Sequence, residues 1–510
     1  MEVARHHASF WEMPSLNKFM LITPHRSRQP KWFSRLVIIA TLVSLASACG
    51  GGSDDNSDDG APLITDTGQD SLVAQMRFAN LIPDAPTIEM LHEGDNSSLF
   101  IETPNFGGSS NRNDFVTGDF FFNFGFTDGL GSRVTLFEQS GFPLVDGNEH
   151  SFIMVGALAN AQLMRVDNPE FLVGLDDLTA DVDPQVQFAH AAVGVEAVDF
   201  FLTENGGDLS TPLATARLAF GETSPLFDVT EGDSLQLRAF PAGDTTTLLF
   251  DSGSIPIGRT TRSLVVAANY FGPSEGTATG VQLLLYGQTP VALSNLSQPT
   301  TLRVHNVVAD EPAIDVYLGD TLGVPEFENV AFRERTAELP LPPQSSDILI
   351  TEAGNPLNIL LTLEASLLTG GTRNSLYVGG LGSDAENGDL PNLGTTLALE
   401  STRAISGGSA VRLFNGSSSS SSLSIFLLRP GQTMETTAPS TLNFGGYTGL
   451  PVVTGDFDLI IVENANQSTI FGPERVTPQL GESLNIVIRD SLGGSTPIQV
   501  DLVSDPTIGL

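Results

Sequence analysis

The chain has 510 residues, of which 40% are hydrophobic and 16% charged, and its formal net charge is −37 at pH 7. A length beyond about 250–300 residues predicts several domains, and this composition lets each bury a core, which excludes an extended acidic polymer. The negative charge repels phosphates, so we expect no nucleic-acid partner. The lone cysteine, Cys49, excludes an intrachain disulfide and a thiolate metal cluster.

A short apolar run near the N-terminus has the form of a secretory leader. A basic and aromatic stretch from Lys31 to Arg35 precedes 13 apolar or small residues at positions 36–48. A membrane-spanning helix needs about 20 residues, so the run indicates a signal peptide rather than a transmembrane helix. We therefore expect residues 1–48 to be a signal peptide, with Met20 as an alternative start.

The end of this run resembles the lipobox of bacterial lipoproteins. Residues 45–49 read Leu-Ala-Ser-Ala-Cys, with the leucine one position earlier than in the family pattern. The resemblance implies acylation of Cys49, and Gly50 after it implies delivery to the outer membrane of the cell envelope. We expect residues 49–71, rich in Gly, Ser and Asp, to form a flexible acidic tether to this lipid anchor. Simple secretion after cleavage at Ala48 is the alternative.

Two markers recur along the rest of the chain. Similar strand-like openings start at spacings of 110, 116 and 109 residues, at Arg77, Gln187, Arg303 and Arg412. A serine before an apolar strand recurs at spacings of 112, 112 and 108, at Ser151, Ser263, Ser375 and Ser483. Because the two markers stay in register, we predict four repeats, at residues 72–180, 181–298, 299–405 and 406–510.

Each repeat has the pattern of short strands, with alternating apolar residues and Gly, Pro, Asn and Asp between them. In the third repeat we predict strands at 302–308, 313–318, 329–339, 347–351, 359–365, 375–379 and 395–399. About seven strands in this length predict an all-β fold of four tandem immunoglobulin-like antiparallel β-sandwich domains. An eight-bladed propeller, with two blades in each repeat, is the alternative. The sequence leaves open whether the sandwiches form a rod or a compact array.

The opening motif resembles the domain of unknown function 4397 family. The first repeat matches through Arg77, the Pro-Asp-Ala-Pro turn at 83–86 and Glu89, and the third through Arg303 and Asp315. In the fourth repeat serines replace the turn. The resemblance covers nearly everything from about residue 72 to the end. It implies β-sandwiches on exported or cell-surface proteins and no established activity.

An equivalent position near the end of the first strand is polar in all four repeats, at Asn80, His190, Asn306 and Asn415. We expect these side chains to satisfy backbone groups at the strand end, and a ligand-binding role is the alternative. Acids in the second strand should point away from the core and pair with Arg77 or Arg303; they are Glu89, Asp199 and Asp315. Calcium between domains is a further alternative, held by these acids or by Asp176, Asp177, Asp181 and Asp183, but no ligand spacing supports it.

The sequence supplies no complete catalytic motif. The block Gly232-Asp-Ser-Leu resembles the nucleophile motif of one esterase family, yet the residues after it read as a strand, and no histidine base accompanies it. We predict a non-enzymatic protein without a cofactor that serves adhesion, structural support or binding of an extracytoplasmic protein or glycan. The alternative is an exported hydrolase or carbohydrate-processing enzyme with carboxylates at a domain junction. The serine run at 417–422 is expected to be a flexible loop tip.

Overall fold

The computed structural model describes residues 73–507, apart from 95–96, 103, 112, 128–131, 169–183, 230–231, 258–261, 273–279, 288–289, 312, 384–391, 454 and 493–497. The predicted leader, Cys49 and the tether therefore lie outside the described residues, as do the four linker acids between 176 and 183. Residues 70–510 form one compact unit.

The first repeat is a sandwich of two four-stranded sheets. Its strands are β1 Val73–Asn80, β2 Glu89–Gly94, β3 Ser97–Glu102, β4 Asn113–Val116, β5 Gly118–Thr127, β6 Arg133–Leu144, β7 Glu149–Val155 and β8 Gln162–Asn168. One sheet has the order β4-β1-β7-β8 and the other β3-β2-β5-β6. We name the first the inner sheet and the second the outer sheet, here and in the other repeats. A short 3-10 turn, Leu158–Asn160, joins β7 to β8.

The second repeat follows the same plan with an extra edge strand. Its inner sheet has the order β12-β9-β15-β16-β17 and its outer sheet β11-β10-β13-β14, built from β9 Gln185–His190, β10 Val198–Glu204, β11 Ala214–Leu218, β12 Phe227–Asp228, β13 Gly232–Pro241, β14 Phe250–Ile257, β15 Arg262–Asn269, β16 Val281–Tyr286 and β17 Pro290–Ala292.

The third and fourth repeats have four strands in each sheet. The third has an inner sheet β21-β18-β24-β25 and an outer sheet β20-β19-β22-β23, from β18 Thr300–Val308, β19 Ala313–Leu318, β20 Phe327–Ala331, β21 Leu339–Leu341, β22 Gln344–Glu352, β23 Asn355–Leu368, β24 Arg373–Leu381 and β25 Asn392–Glu400. The fourth has β29-β26-β32-β33 and β28-β27-β30-β31, from β26 Gly408–Gly416, β27 Ser422–Leu428, β28 Ser440–Asn443, β29 Tyr447–Val453, β30 Phe457–Glu463, β31 Ser468–Val476, β32 Glu482–Arg489 and β33 Gln499–Pro506.

The sheets are antiparallel except at the centre of each inner sheet, where the first and seventh strands of the repeat pair in parallel, as β1-β7, β9-β15, β18-β24 and β26-β32. This pairing explains why two sequence markers recur in register. Arg77 lies opposite Ser151, and Arg303 lies opposite Ser375. Their side chains hydrogen bond at 3.2 and 2.7 Å. The two markers therefore lie in neighbouring strands of one sheet.

The structure confirms the predicted all-β fold of repeated sandwiches and excludes the propeller, because two sheets of each repeat enclose its core. In the third repeat, six of the predicted strands coincide with β18, β19, β22, β23, β24 and β25. The predicted strand at 329–339 is instead two strands, β20 and β21, in opposite sheets. Among the described residues, no helix combines the length and apolarity needed to cross a membrane.

The central strands of the inner sheets are buried on both faces. In β7, Phe152 and Met154 face the core of their own sandwich, while Ile153 and Val155 face the second repeat. Successive side chains of a strand point to opposite faces of the sheet, so an uninterrupted apolar run contributes residues to two cores. The inner sheets of the first two repeats thus share a buried apolar interface that includes Leu284.

The third and fourth repeats share a second interface with a different composition. Its apolar part is small and includes Val307, Tyr377, Phe414 and Val487. The rest of this interface is polar and charged. The backbones of the two inner sheets approach closely, since a Cβ built on Gly379 would lie 2.5 Å from the Cα of Gly416. The four repeats therefore form a compact array rather than a rod.

Candidate functional site at the junction of the repeats

The arginines that open the repeats make contacts between repeats. Arg77 is 3% exposed, forms an ion pair with Glu149 at 2.9 Å, and donates to the carbonyl of Gly287 in the second repeat at 2.8 Å. Arg412 of the fourth repeat reaches Glu400 of the third at 3.2 Å. These guanidinium groups therefore help to fix the packing of one sandwich on the next.

The predicted pairing of Arg77 and Arg303 with the acids of the second strand is wrong. The arginines lie in the inner sheets and the acids in the outer sheets, so the two sets face different surroundings. Glu89 instead pairs with Arg133, and Asp199 pairs with Arg217 at 2.6 Å. Asp315 accepts backbone N–H groups of Asn329 and Gly354 at 2.6 and 2.8 Å.

The predicted role of the polar residue near the end of the first strand is confirmed in all four repeats. The Oδ1 atoms of Asn80, Asn306 and Asn415 accept the N–H two residues further on, at 3.1, 2.9 and 3.2 Å. In the second repeat, Nδ1 of His190 accepts the N–H of Ala192 at 3.2 Å. All four side chains are fully buried. They hold the turn between the first two strands, as we expected.

The serine run at 417–422 is not the flexible tip that its composition predicted. Asp490 accepts hydrogen bonds from the hydroxyls of Ser417 at 2.5 Å, Ser418 at 2.8 Å and Ser419 at 2.7 Å. Ser417 and Asp490 are both fully buried. In the third repeat, Asp310 holds the backbone N–H of Gly382 in a related way, at 2.6 Å. The serines therefore supply donors to a buried carboxylate.

A cavity of about 470 Å³ lies where the four repeats meet. Its wall includes Asn105, Phe106 and Gly107 of the first repeat and Tyr270, Phe271, Gln282, Leu284 and Ala292 of the second. The third repeat and the linker after it contribute Gly371, Thr372, Arg373, Leu399, Glu400, Ser401, Arg403 and Ile405. The fourth repeat contributes Ala410, Arg412, Tyr447, Gly449 and Leu450. The wall combines apolar and aromatic side chains with three arginines.

A buried ion network lies beside this cavity, between the third and fourth repeats. Nη2 of Arg303 is 2.6 Å from Oε2 of Glu400 and 2.7 Å from Oδ2 of Asp505. Arg412 lies 3.2 Å from Glu400 and 3.4 Å from Asp505. The hydroxyl of Tyr377 donates to Oε1 of Glu400 at 2.8 Å. Such a network holds two surfaces in one register, because losing either partner leaves a buried charge.

The network shifts the pKa values of Asp505 and Tyr377. Burial raises the pKa of Asp505, but the hydrogen bond and charge of Arg303, with the charges of Arg335 and Arg373, outweigh burial and hold that pKa well below its usual range. Burial and the charge of Glu400 raise the pKa of the Tyr377 hydroxyl. Asp505 is therefore a carboxylate at neutral pH and Tyr377 a neutral phenol.

Two arginines of the cavity wall are incompletely paired. Arg403 donates to the carbonyls of Pro83 and Ala85 at 3.2 and 2.6 Å, and no carboxylate of the described residues lies within 4 Å of it. Burial lowers the pKa of Arg403 to about 10, so the group stays charged at neutral pH. Arg373 pairs with Glu338 at 2.5 Å, yet its buried Nε has no hydrogen-bond partner.

The other candidate groups of the sequence stay apart from this junction. Ser234 lies in β13, as the strand pattern predicted, and its hydroxyl contacts that of Ser254 at 3.1 Å. Within the described part of the chain, no group of three or more His, Cys, Asp or Glu is placed to hold a metal ion. Sequence reasoning missed the cavity, because its arginines and apolar walls come from segments far apart in the chain.

Comparison of the sequence with protein-family models and with curated proteins finds no match.

Proposed function

We propose that the chain is a non-enzymatic, lipid-anchored protein of the bacterial cell envelope, held at the outer membrane through Cys49. Its sandwiches form a compact body for adhesion, ligand binding or structural support outside the cytoplasm. The observation that carries this proposal is the N-terminal pattern, in which a basic stretch and 13 apolar or small residues end at Cys49. The likeness to the domain of unknown function 4397 family stays a prediction that agrees with this location.

The polar contacts of the described residues support a binding or structural role. Each repeat uses its buried polar residue to hold a turn, and its opening arginine or glutamine lies in a buried inner sheet. In the third and fourth repeats the strongest cluster of charges joins two sandwiches. These contacts fix how the two sandwiches pack and pair Arg303 and Arg412 with carboxylates, which is what a rigid scaffold or receptor requires.

One observation favours the enzymatic alternative. Glu400 and Asp505 both contact Nη2 of Arg303, so their nearest oxygens are separated by no more than the sum of 2.6 and 2.7 Å. Retaining glycosidases hold two carboxyl groups about 5–5.5 Å apart, which is close to this upper limit. A general acid, however, needs a raised pKa, and Asp505 has a lowered one. The arginines around this pair favour a structural role for it.

The anchor is tested by expressing the full chain in a Gram-negative host and measuring intact mass and membrane fractionation. We expect the wild type to begin at Cys49 and to carry the added mass of acyl chains. Cys49→Ser should carry no acyl mass, while Ser57→Ala in the predicted tether should match the wild type. An unmodified wild-type protein, or one that keeps residues 20–48, would contradict the proposed anchor.

A further inference from the structure

The cavity at the junction of the repeats is large enough for a small molecule. Its volume of about 470 Å³ lies within the range of about 300–1,000 Å³ that small-molecule sites occupy. Such sites are mostly apolar, with a few polar groups that fix the orientation of the ligand. The wall here has that composition, because Phe271, Leu399, Ile405 and Leu450 line it beside the arginines.

The charged groups of the wall carry an excess of positive charge. Arg373, Arg403 and Arg412 line the cavity, and Glu400 is the carboxylate among the described lining residues. Glu400 is already in contact with Arg303 and Arg412. Arg373 pairs with Glu338 at 2.5 Å and Arg412 lies 3.4 Å from Asp505, so Arg403 is the wall arginine that has no carboxylate of the described residues within 4 Å. An anion entering the cavity would therefore meet the guanidinium group of Arg403.

Arg403 gives the most direct indication of a missing anion. It is 8% exposed, donates to two carbonyl oxygens, and has its Cζ 5.4 Å from the centre of the Phe106 ring. The charge of Asp84 acts on it from beyond 4 Å. A buried cation without a counter-ion in direct contact is costly, and a bound anion offsets that cost. Arg373, 6% exposed, pairs with Glu338 at 2.5 Å, but its buried Nε lies 3.9 Å from Glu400 and has no hydrogen-bond acceptor, which adds a second indication. Both side chains line the same cavity.

We propose that this cavity binds a small organic anion, in which a carboxylate contacts the arginines and an aliphatic body lies against the apolar wall. An inorganic anion would leave the apolar wall without a contact, and a neutral apolar molecule would leave Arg403 without a counter-ion in direct contact. The proposed ligand class therefore follows from both halves of the wall. This site is independent of the lipid anchor proposed above.

Gly449 offers a way to fill the cavity without removing a charge. It lines the cavity, and a Cβ built on it meets no atom within 4 Å. It lies opposite Arg412 in the β26-β29 pair, so a side chain at this position projects on the same face as that arginine. Gly323, outside the cavity wall, is a matched control because a Cβ there also meets no atom within 4 Å.

The test is isothermal titration calorimetry of the full-length protein in a mild nonionic detergent, with octanoate, 1-octanol and inorganic phosphate as probes. We expect saturable binding of about one octanoate per chain, and at least about tenfold weaker binding of octanol and phosphate, a difference of about 1.4 kcal/mol. Gly449→Leu should weaken octanoate binding at least about tenfold, and Gly323→Leu should leave it unchanged. Arg403→Met should weaken octanoate binding but not that of octanol.

Circular dichroism establishes that each variant is folded before titration. If Arg403→Met does not fold, the comparison of Gly449→Leu with Gly323→Leu still decides the question. The proposal is overturned if the wild type shows no saturable octanoate binding, if octanol or phosphate binds as tightly as octanoate, or if Gly449→Leu binds octanoate as the wild type does.

Discussion

His190 performs in the second repeat the role that asparagine performs in the other three. Its Nε2 lies 2.9 Å from the carbonyl of Glu196, which can only accept, so Nε2 carries the proton and Nδ1 accepts the N–H of Ala192. The neutral imidazole thus makes two hydrogen bonds equivalent to those of the Asn306 carboxamide. Asn306 accepts the N–H of Val308 and donates to the carbonyl of Val330. Protonation of His190 would remove its acceptor, and burial lowers its pKa.

We expect His190→Asn to remove part of the acid sensitivity of the protein. A lowered folded-state pKa means that the unfolded chain takes up the proton first, so His190 reduces stability as the pH falls below about 6.5, its unfolded value. At pH 8 the variant should unfold within about 1 kcal/mol of the wild type, since it keeps the hydrogen bonds. Between pH 8 and pH 5 it should lose less stability than the wild type in urea unfolding.

The buried His305, whose pKa is also lowered, is present in both proteins, so the difference between their pH profiles isolates His190. Parallel profiles for the two proteins would contradict the assigned role.

The comparison of these residues shows what the sequence can predict at this scale. The backbone-capping role of Asn80 was predictable, because its partner Ile82 is two residues away. The partners of Arg303 were not, because Asp505 lies 202 residues further along the chain and belongs to no recurring motif. Local contacts follow from spacing, whereas contacts between repeats depend on how whole sheets pack.

At the scale of strands, the sequence of a central inner-sheet strand indicates burial on both faces. The stretch Phe152-Ile153-Met154-Val155 has no polar residue on either face, whereas a strand with one solvated face alternates. This pattern indicates a second covering layer but does not identify it. The layer proved to be the second repeat for β7 and the first repeat for β15. The division of the predicted strand at 329–339 into β20 and β21 could not be predicted either. A chain that passes from one sheet to the other does not interrupt the alternation of apolar and polar residues.

Gly379 in β24 permits the close approach of the third and fourth repeats, and we expect Gly379→Val to disrupt it. The new Cβ would lie 2.5 Å from the Cα and 2.6 Å from the carbonyl oxygen of Gly416, both backbone atoms that cannot turn aside. Such overpacking should reduce the free energy of unfolding by about 1–3 kcal/mol. Urea unfolding measures this loss.

The control for this prediction is Gly323→Val, where the new side chain has open space and the change should stay within about 0.5 kcal/mol. Equal stability of the Gly379→Val and Gly323→Val proteins would show that the two sheets separate without loss.

At the scale of the whole molecule, the two interfaces between repeats differ in composition. The interface between the first two is apolar, with Leu81, Val266 and Tyr286 among its buried residues, while the interface between the last two combines the buried charges of Arg303 and Asp505 with a few apolar side chains. Tandem similarity in sequence predicted four equivalent sandwiches. It could not predict pairs, because partners such as Asp505, which accepts from the motif residue Arg303, lie outside the recurring motifs.

This pairing predicts different behaviour for fragments that each contain two repeats. Residues 70–298 keep the apolar interface of the first pair covered, so this fragment should be monomeric and unfold cooperatively in urea. Residues 181–405 take one repeat from each pair and expose the faces of Leu284 and Tyr377, which are 3% and 1% exposed in the full chain. Contiguous apolar surface of this kind drives association, so the middle fragment should form oligomers or aggregates in light scattering after size-exclusion chromatography. A monomeric middle fragment as stable as residues 70–298 would mean that each sandwich folds on its own, and that the interfaces only hold finished domains together.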